Sequence, residues 1–154
     1  TQSDTRFTGP SMSPLSDSAV YDPQGAAISS ACVSAFNAYA HSLLHYGKGM
    51  RYLPENPLWR TWNFSHQAPG VSFSFPQALN VMPDPANAMK YDPDLNVMLN
   101  GGYFDLATPF YEGIYEMKHL PMPRKLQANI QYHYYMSGHM IYVHVPALKQ
   151  LHAN

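Results

Sequence analysis

Charge is scarce in this sequence. Asp, Glu, Lys and Arg make up 12% of its 154 residues, about half of the usual share of roughly 25%. The formal net charge is -1, which removes the electrostatic basis for binding nucleic acid or an anionic membrane. Cysteine is scarcer still: Cys32 stands alone, so no internal disulfide can form and compartment cannot be read from cysteine usage. No apolar run reaches the length of a membrane-spanning helix. The first residues, TQSDTRFTGP, lack a basic start and a hydrophobic stretch, so no signal peptide is expected in them. There is no Gly-x-Ser-x-Gly, and no serine lies between a strand pattern and a helix pattern as a nucleophile elbow requires. What is plentiful is apolar and aromatic surface, 45% and 14% of residues. That excludes a disordered chain and is enough for a sizeable core in one domain or part of one. Little charge with much apolar surface also implies faces that are buried or covered by a partner.

Residues 1–23 are rich in Ser, Pro, Asp and Gly and read as irregular structure. Asp22-Pro23 then has the chemistry of a helix start, a capping carboxylate followed by a proline that fits the first turn. Ala27, Ile28, Ala31, Ala35, Phe36, Tyr39, Leu43 and Leu44 recur at spacings of three and four, which predicts one apolar, packing face, and Gly47 is expected to end the helix. Residues 47–75 carry Pro54, Pro57 and Pro69 and read as a structured loop. Its Trp59 and Trp62 either anchor it to the core or line a cleft. Phe75-Pro76 begins a second helical stretch through Ala78, Leu79, Val81 and Met82, which Pro83 and Pro85 are expected to break, leaving a short piece that runs to Lys90.

The stretch from Asp94 to His144 organises the rest. A short apolar run, Leu95–Asn100, reads as a buried parallel strand, and Gly101-Gly102 permit a tight exit towards Asp105. A helix is expected from Pro109 to His119, capped by Thr108-Pro109, with Phe110, Ile114 and Met117 inward and Glu112, Glu116 and Lys118 outward. Arg124 to Asn129 reads as a polar connection and Ile130–Tyr135 as a second strand. Ser137-Gly138 then turn the chain into His139, and a last helix begins at Pro146. The order is strand, acid-bearing loop, helix, strand, His-bearing loop. Open α/β sheets place their sites at the C-terminal ends of strands, and in α/β-hydrolases the acid precedes the His in the chain. A catalytic His must exchange protons near working pH, and an Asp fixes its tautomer and stabilises its cation. His66 is a rival base, but it lacks the strand-and-turn context. His41 and His45 lie four apart with no acidic or Cys ligand beside them. His133, His139 and His144 match no fixed zinc spacing. No metal or cofactor is expected.

GGYFDLATPF, which contains Asp105, resembles the acid loop of the serine carboxypeptidase family, and SGHMIYVHVPALKQLH, which contains His139, resembles its His loop. RFTGP at Arg6–Pro10, YDPQGAAI at Tyr21–Ile28 and NPLWRTWNFSH resemble the bacterial branch, as does the lack of cysteine pairs. The resemblance implies an α/β fold, specifically the C-terminal part of an α/β-hydrolase sheet with flanking helices, incomplete on its own. Residues 1–23 would then be the end of a cap insertion and 24–154 the C-terminal part of the catalytic domain. It implies Asp105 and His139 as catalytic residues and Met140 as part of the pocket for the departing C-terminal residue of a peptide substrate. The nucleophilic Ser, the oxyanion hole and the residues that hold the substrate carboxylate would lie in an N-terminal part of the same enzyme, and the setting would be secreted or periplasmic. Two other functions fit the same residues: an acyltransferase of the same scaffold, and a binding or assembly domain that retains Asp105 and His139 without chemistry.

Overall fold

In a computed structural model, which describes all residues except 1, 12, 16, 18, 19, 55–57 and 75–79, contacts divide the chain into two units. Thr1–Gln2 with Phe7–Trp62 form one, and Ser3–Arg6 with Asn63–Asn154 form the other. Among the described residues no helix is long and apolar enough to cross a membrane.

The first unit is built on helix α1, Pro23–Ala38. Asp22 caps it as its sequence predicts, accepting the Gly25 amide at 3.2 Å, with Pro23 in the first turn. The helix widens into a π-helical turn at Tyr39–Leu43. It ends before Gly47, because His45 already takes a left-handed backbone (φ 54°) and the Tyr46 amide reaches back to the Ala40 carbonyl at 2.9 Å. The predicted packing face stays uncovered within this unit. Phe36, Tyr39, Leu43 and Leu44 are all about half exposed or more, and Phe36 meets the Tyr52 ring, 4.9 Å away between centroids. Trp62 is exposed, so it does not anchor the loop, while the Trp59 side chain and the predicted helix start at Phe75 lie outside the described residues.

In the second unit, residues 80–82 are not helical, and Pro83 and Pro85 open helix α2, Pro83–Tyr91, the short piece expected to run to Lys90. Proline costs nothing in a first turn, where the amides have no helical partner. Asp92 and Asp94 then make a turn: the Asp94 amide donates to the Asp92 carboxylate at 3.1 Å and the Leu95 amide to the Asp92 carbonyl at 3.2 Å. This turn delays strand β1 to Val97–Gly102, two residues later than its apolar run predicts. Strand β2 spans Ile130–Tyr135 as expected. The two pair in parallel, with Val97 opposite Ile130 and Gly102 opposite Tyr135. Parallel neighbours need a crossover, which is supplied by helix α3, Phe110–Lys118, and a 3-10 segment, Arg124–Asn129, whose Leu126 is buried. That segment was expected to be a plain polar connection. Helix α4, Val145–Ala153, closes the unit. The result is a mixed helix and strand architecture around a two-stranded parallel sheet.

Its core joins Ala86 and Met89 of α2 to Leu120, Leu126 and Ile130, with Leu95, Val97 and Met117 packed against them. Met89 is essentially inaccessible, a burial that stabilises by about 2 kcal/mol. A second cluster, Tyr135, Ile141 and Ala147, sits under α4. Beyond it the sheet is thin: among the described residues it has two strands, and Tyr91, Tyr111 and Tyr142 are well exposed.

Gly102 and Gly138 are required by close approach, not by unusual backbone angles, since neither has a positive φ. A Cβ on Gly102 would fall on the carbonyl oxygens of Ser137 and Gly138, and one on Gly138 would fall on the Asp4 side chain. Backbone cannot swing aside as a side-chain tip can. Gly102→Ala is therefore expected to destabilise the fold by about 1–3 kcal/mol, read as a lower midpoint in urea; an unchanged midpoint would mean that residues 137–138 give way freely.

Candidate active site

The site is built by prolonging the sheet past its strands. The Tyr103 amide donates to the Tyr135 carbonyl and the Phe104 amide to the Ser137 carbonyl, both at 3.0 Å. The two loops therefore leave the C-terminal ends of β1 and β2 side by side. Tyr103, Phe110 and Tyr134 pack their rings at centroid distances of 5.2 to 5.7 Å, which stiffens the acid loop against the sheet. Asp105 lies at the end of one loop and His139 at the end of the other.

These two residues meet. His139 Nδ1 is 2.9 Å from Asp105 Oδ2. A carboxylate only accepts, so Nδ1 carries the hydrogen and Nε2 is the basic nitrogen of the neutral ring. Asp105 is 4% exposed, whereas the His139 side chain is 48% exposed. The acid is thus buried behind a base that faces outward. Asp105 Oδ1 accepts the amides of Ala107 at 2.7 Å and Thr108 at 3.0 Å, and Oδ2 also accepts the Thr108 hydroxyl at 2.8 Å. That hydroxyl oxygen lies 3.2 Å from His139 Nδ1 and takes a second share of the same hydrogen. Both carboxylate oxygens are therefore held, and rotation of the acid away from the imidazole would break four hydrogen bonds.

Thr108 was expected to cap α3. Instead Pro109 occupies the cap position, without a side-chain bond, and the Thr108 hydroxyl serves Asp105. An Asp followed three residues later by a Thr has the spacing of a local side-chain turn, a signal that the adjacent proline obscured. The residues that hold the other side of His139 had no local signal at all. The His139 amide donates to the Ser3 carbonyl at 2.7 Å and the Thr5 amide to the Phe104 carbonyl at 2.9 Å. Asp4, in a segment expected to be irregular, is fully buried.

The remaining candidates fall elsewhere. His66 Nε2 lies 3.2 Å from Asp84 Oδ2, but the contact is not aligned as a hydrogen bond and Asp84 Oδ1 is buried without a partner among the described residues. That pair lacks the fourfold support of Asp105. An open cavity of about 500 Å³ is lined by Leu99, Thr108, Tyr134 and His139, together with Glu112 and Glu116 of α3. Glu112 is exposed, as its outward position predicts, and Glu116 is half-buried. Met140 is half-buried at the start of the turn Ile141–Val143 and does not line this cavity. Among the described residues, no group of three His, Cys, Asp or Glu side chains comes together as a metal site.

Electrostatics give the site an acid limit. Burial is the largest influence on Asp105 and pushes its pKa up. The hydrogen bonds from the Thr108 amide, His139, the Thr108 hydroxyl and the Ala107 amide together outweigh it and hold the carboxyl below its usual range. Asp4 behaves likewise: burial pushes it up, and Arg6 and the Gly138 amide bring it down further. A carboxyl whose folded pKa lies below its unfolded value of about 4 contributes stability that is complete above that value and is lost as pH falls through the folded pKa. Thermal unfolding is therefore expected to shift to lower temperature below about pH 4, and less steeply in Asp105→Asn and Asp4→Asn. An equal slope in both variants would place the acid sensitivity on other groups.

No family model, curated protein or solved structure matches this chain.

Proposed function

We propose that this chain is the C-terminal part of the catalytic domain of an α/β-hydrolase of the serine carboxypeptidase kind, supplying the acid and the base of a Ser-His-Asp triad. The observation that carries this reading is the 2.9 Å bond between His139 and a buried, four-bonded Asp105 at the C-terminal ends of two adjacent parallel strands. The resemblance of the loops around both residues to that family supports it. So do the two-stranded extent of the sheet among the described residues and the exposed aromatic side chains of this unit, which suit a sheet continued by further strands. By the same resemblance the setting is secreted or periplasmic.

In this reading the nucleophilic Ser belongs to an N-terminal part of the enzyme that extends the sheet. Its hydroxyl attacks the last peptide carbonyl while His139 Nε2 takes the proton. Asp105 stabilises the imidazolium that forms. Nε2 then returns the proton to the departing amine, the C–N bond breaks and the C-terminal amino acid leaves. Water, deprotonated by the same nitrogen, cleaves the acyl ester and restores the Ser.

The test is fluorophosphonate labelling of the native source material, with intact mass read in parallel. The expected result is a label on a Ser in a polypeptide that co-purifies with these residues or is continuous with them. A chain that is folded, alone and unlabelled would sink the proposal and leave a binding or assembly domain.

A further inference from the structure

Residues Ser3–Arg6 group with the C-terminal unit although more than ninety positions separate them from either loop of the site. They run between those loops and touch both. On the base side, the Ser3 carbonyl accepts the His139 amide, the Asp4 carboxylate accepts the Gly138 amide, and Arg6 Nη1 donates to the Met136 carbonyl at 2.8 Å. On the acid side, the Thr5 amide donates to the Phe104 carbonyl and the Arg6 guanidinium lies 4.9 Å over the Phe104 ring. Arg6 and Asp4 also grip each other: Nε to Oδ1 at 3.0 Å, Nη2 to Oδ2 at 2.6 Å, with the Arg6 amide on Oδ1 at 3.0 Å. The planar guanidinium thus serves a carboxylate, a carbonyl and an aromatic face at once, which an ammonium group cannot do.

A glycine at 138 is needed because the Asp4 side chain occupies the space that any Cβ there would fill. The residue before the base is therefore shaped around the strap. A buried carboxylate and a bridging arginine are a costly way to anchor a segment without regular structure, since Asp is seldom fully buried unless paired.

We propose that Asp4 and Arg6 are positioning residues that fix the base-bearing loop against the acid-bearing loop, and so hold the His139 imidazole on Asp105. This rests on the triad reading above. They act through the Gly138 and Met136 backbone and the Phe104 ring. Displacing a catalytic group by about 1 Å costs roughly a hundredfold in rate, so a strap of this kind sets activity without joining the chemistry.

The experiment is proton NMR of the isotopically labelled protein as isolated, with any companion polypeptide retained, following the hydrogen-bonded Nδ1 proton of His139 and the exchange of its amide. Wild type is expected to show an Nδ1 signal that Asp105→Asn removes. In Arg6→Gln that signal is expected to broaden or vanish and the His139 amide to exchange about tenfold faster, while the Leu99 and Tyr132 amides keep their protection. Added guanidinium is expected to restore the signal in Arg6→Gln, and Arg6→Lys to restore it less. An unchanged signal and unchanged exchange in Arg6→Gln and Asp4→Asn would overturn the inference and leave the triad reading intact. A wild type without the signal would overturn both. If Asp4→Asn fails to fold, Arg6→Gln decides, because the Arg6 side chain is 32% exposed and its loss leaves no cavity.

Discussion

His139→Ala is expected to lower the turnover of the proposed hydrolase by roughly 10⁶-fold and to abolish fluorophosphonate labelling, the scale on which a triad base acts. The reason is in the exposure and the tautomer. The ring is half open to solvent on a buried acid, Asp105 holds the hydrogen on Nδ1, and Nε2 is the nitrogen left to take a proton. Removing the ring leaves no other described His on a held carboxylate, because the His66–Asp84 contact is not aligned as a hydrogen bond. Stability should change little, since an exposed side chain contributes little packing. The check is a pair of measurements on one sample, labelling rate and unfolding midpoint. Labelling that survives with a normal midpoint would assign the base elsewhere.

Asp105→Asn is expected to lower turnover by roughly 10⁴-fold with substrate binding little changed. The amide keeps an oxygen for the Ala107 and Thr108 amides that now bond Oδ1. Its nitrogen then faces the Thr108 hydroxyl and His139 Nδ1, where the carboxylate oxygen stood. An NH₂ group there donates, so the imidazole must present a lone pair at Nδ1 and move its hydrogen to Nε2, the wrong nitrogen for taking a proton from Ser. The negative charge that steadies the imidazolium is also gone. The separation of kcat from KM in steady-state kinetics checks this. A variant that loses affinity while keeping kcat would make Asp105 a binding residue instead.

Sequence and structure divide the account along a physical line. Short-range rules located what depends on a few neighbouring residues. The Asp22 cap with Pro23, the strand Ile130–Tyr135, and helices near Pro109 and Pro146 all follow from local spacing and terminus chemistry, and the order of Asp105 before His139 is simply written in the chain. The same rules erred where one residue type serves two purposes. Gly101 and Gly102 read as an exit and belong to the strand; Thr108 read as a cap and holds the acid. In each case the local preference is real but permissive, and packing chose between its outcomes.

The sequence by itself determined the order of the elements and the place of Asp105 and His139 just beyond two strands. Only the tertiary structure decided that Asp105 and His139 lie within hydrogen-bond distance, that Gly102 and Gly138 are present for close approach, and that Ser3–Arg6 bond the backbone of both loops. Those facts join positions 3–6 to 104 and to 136–139. Contacts over such separations leave no periodicity, because nothing in the chain between them needs to repeat, and they exist only once the sheet has brought the two loops together.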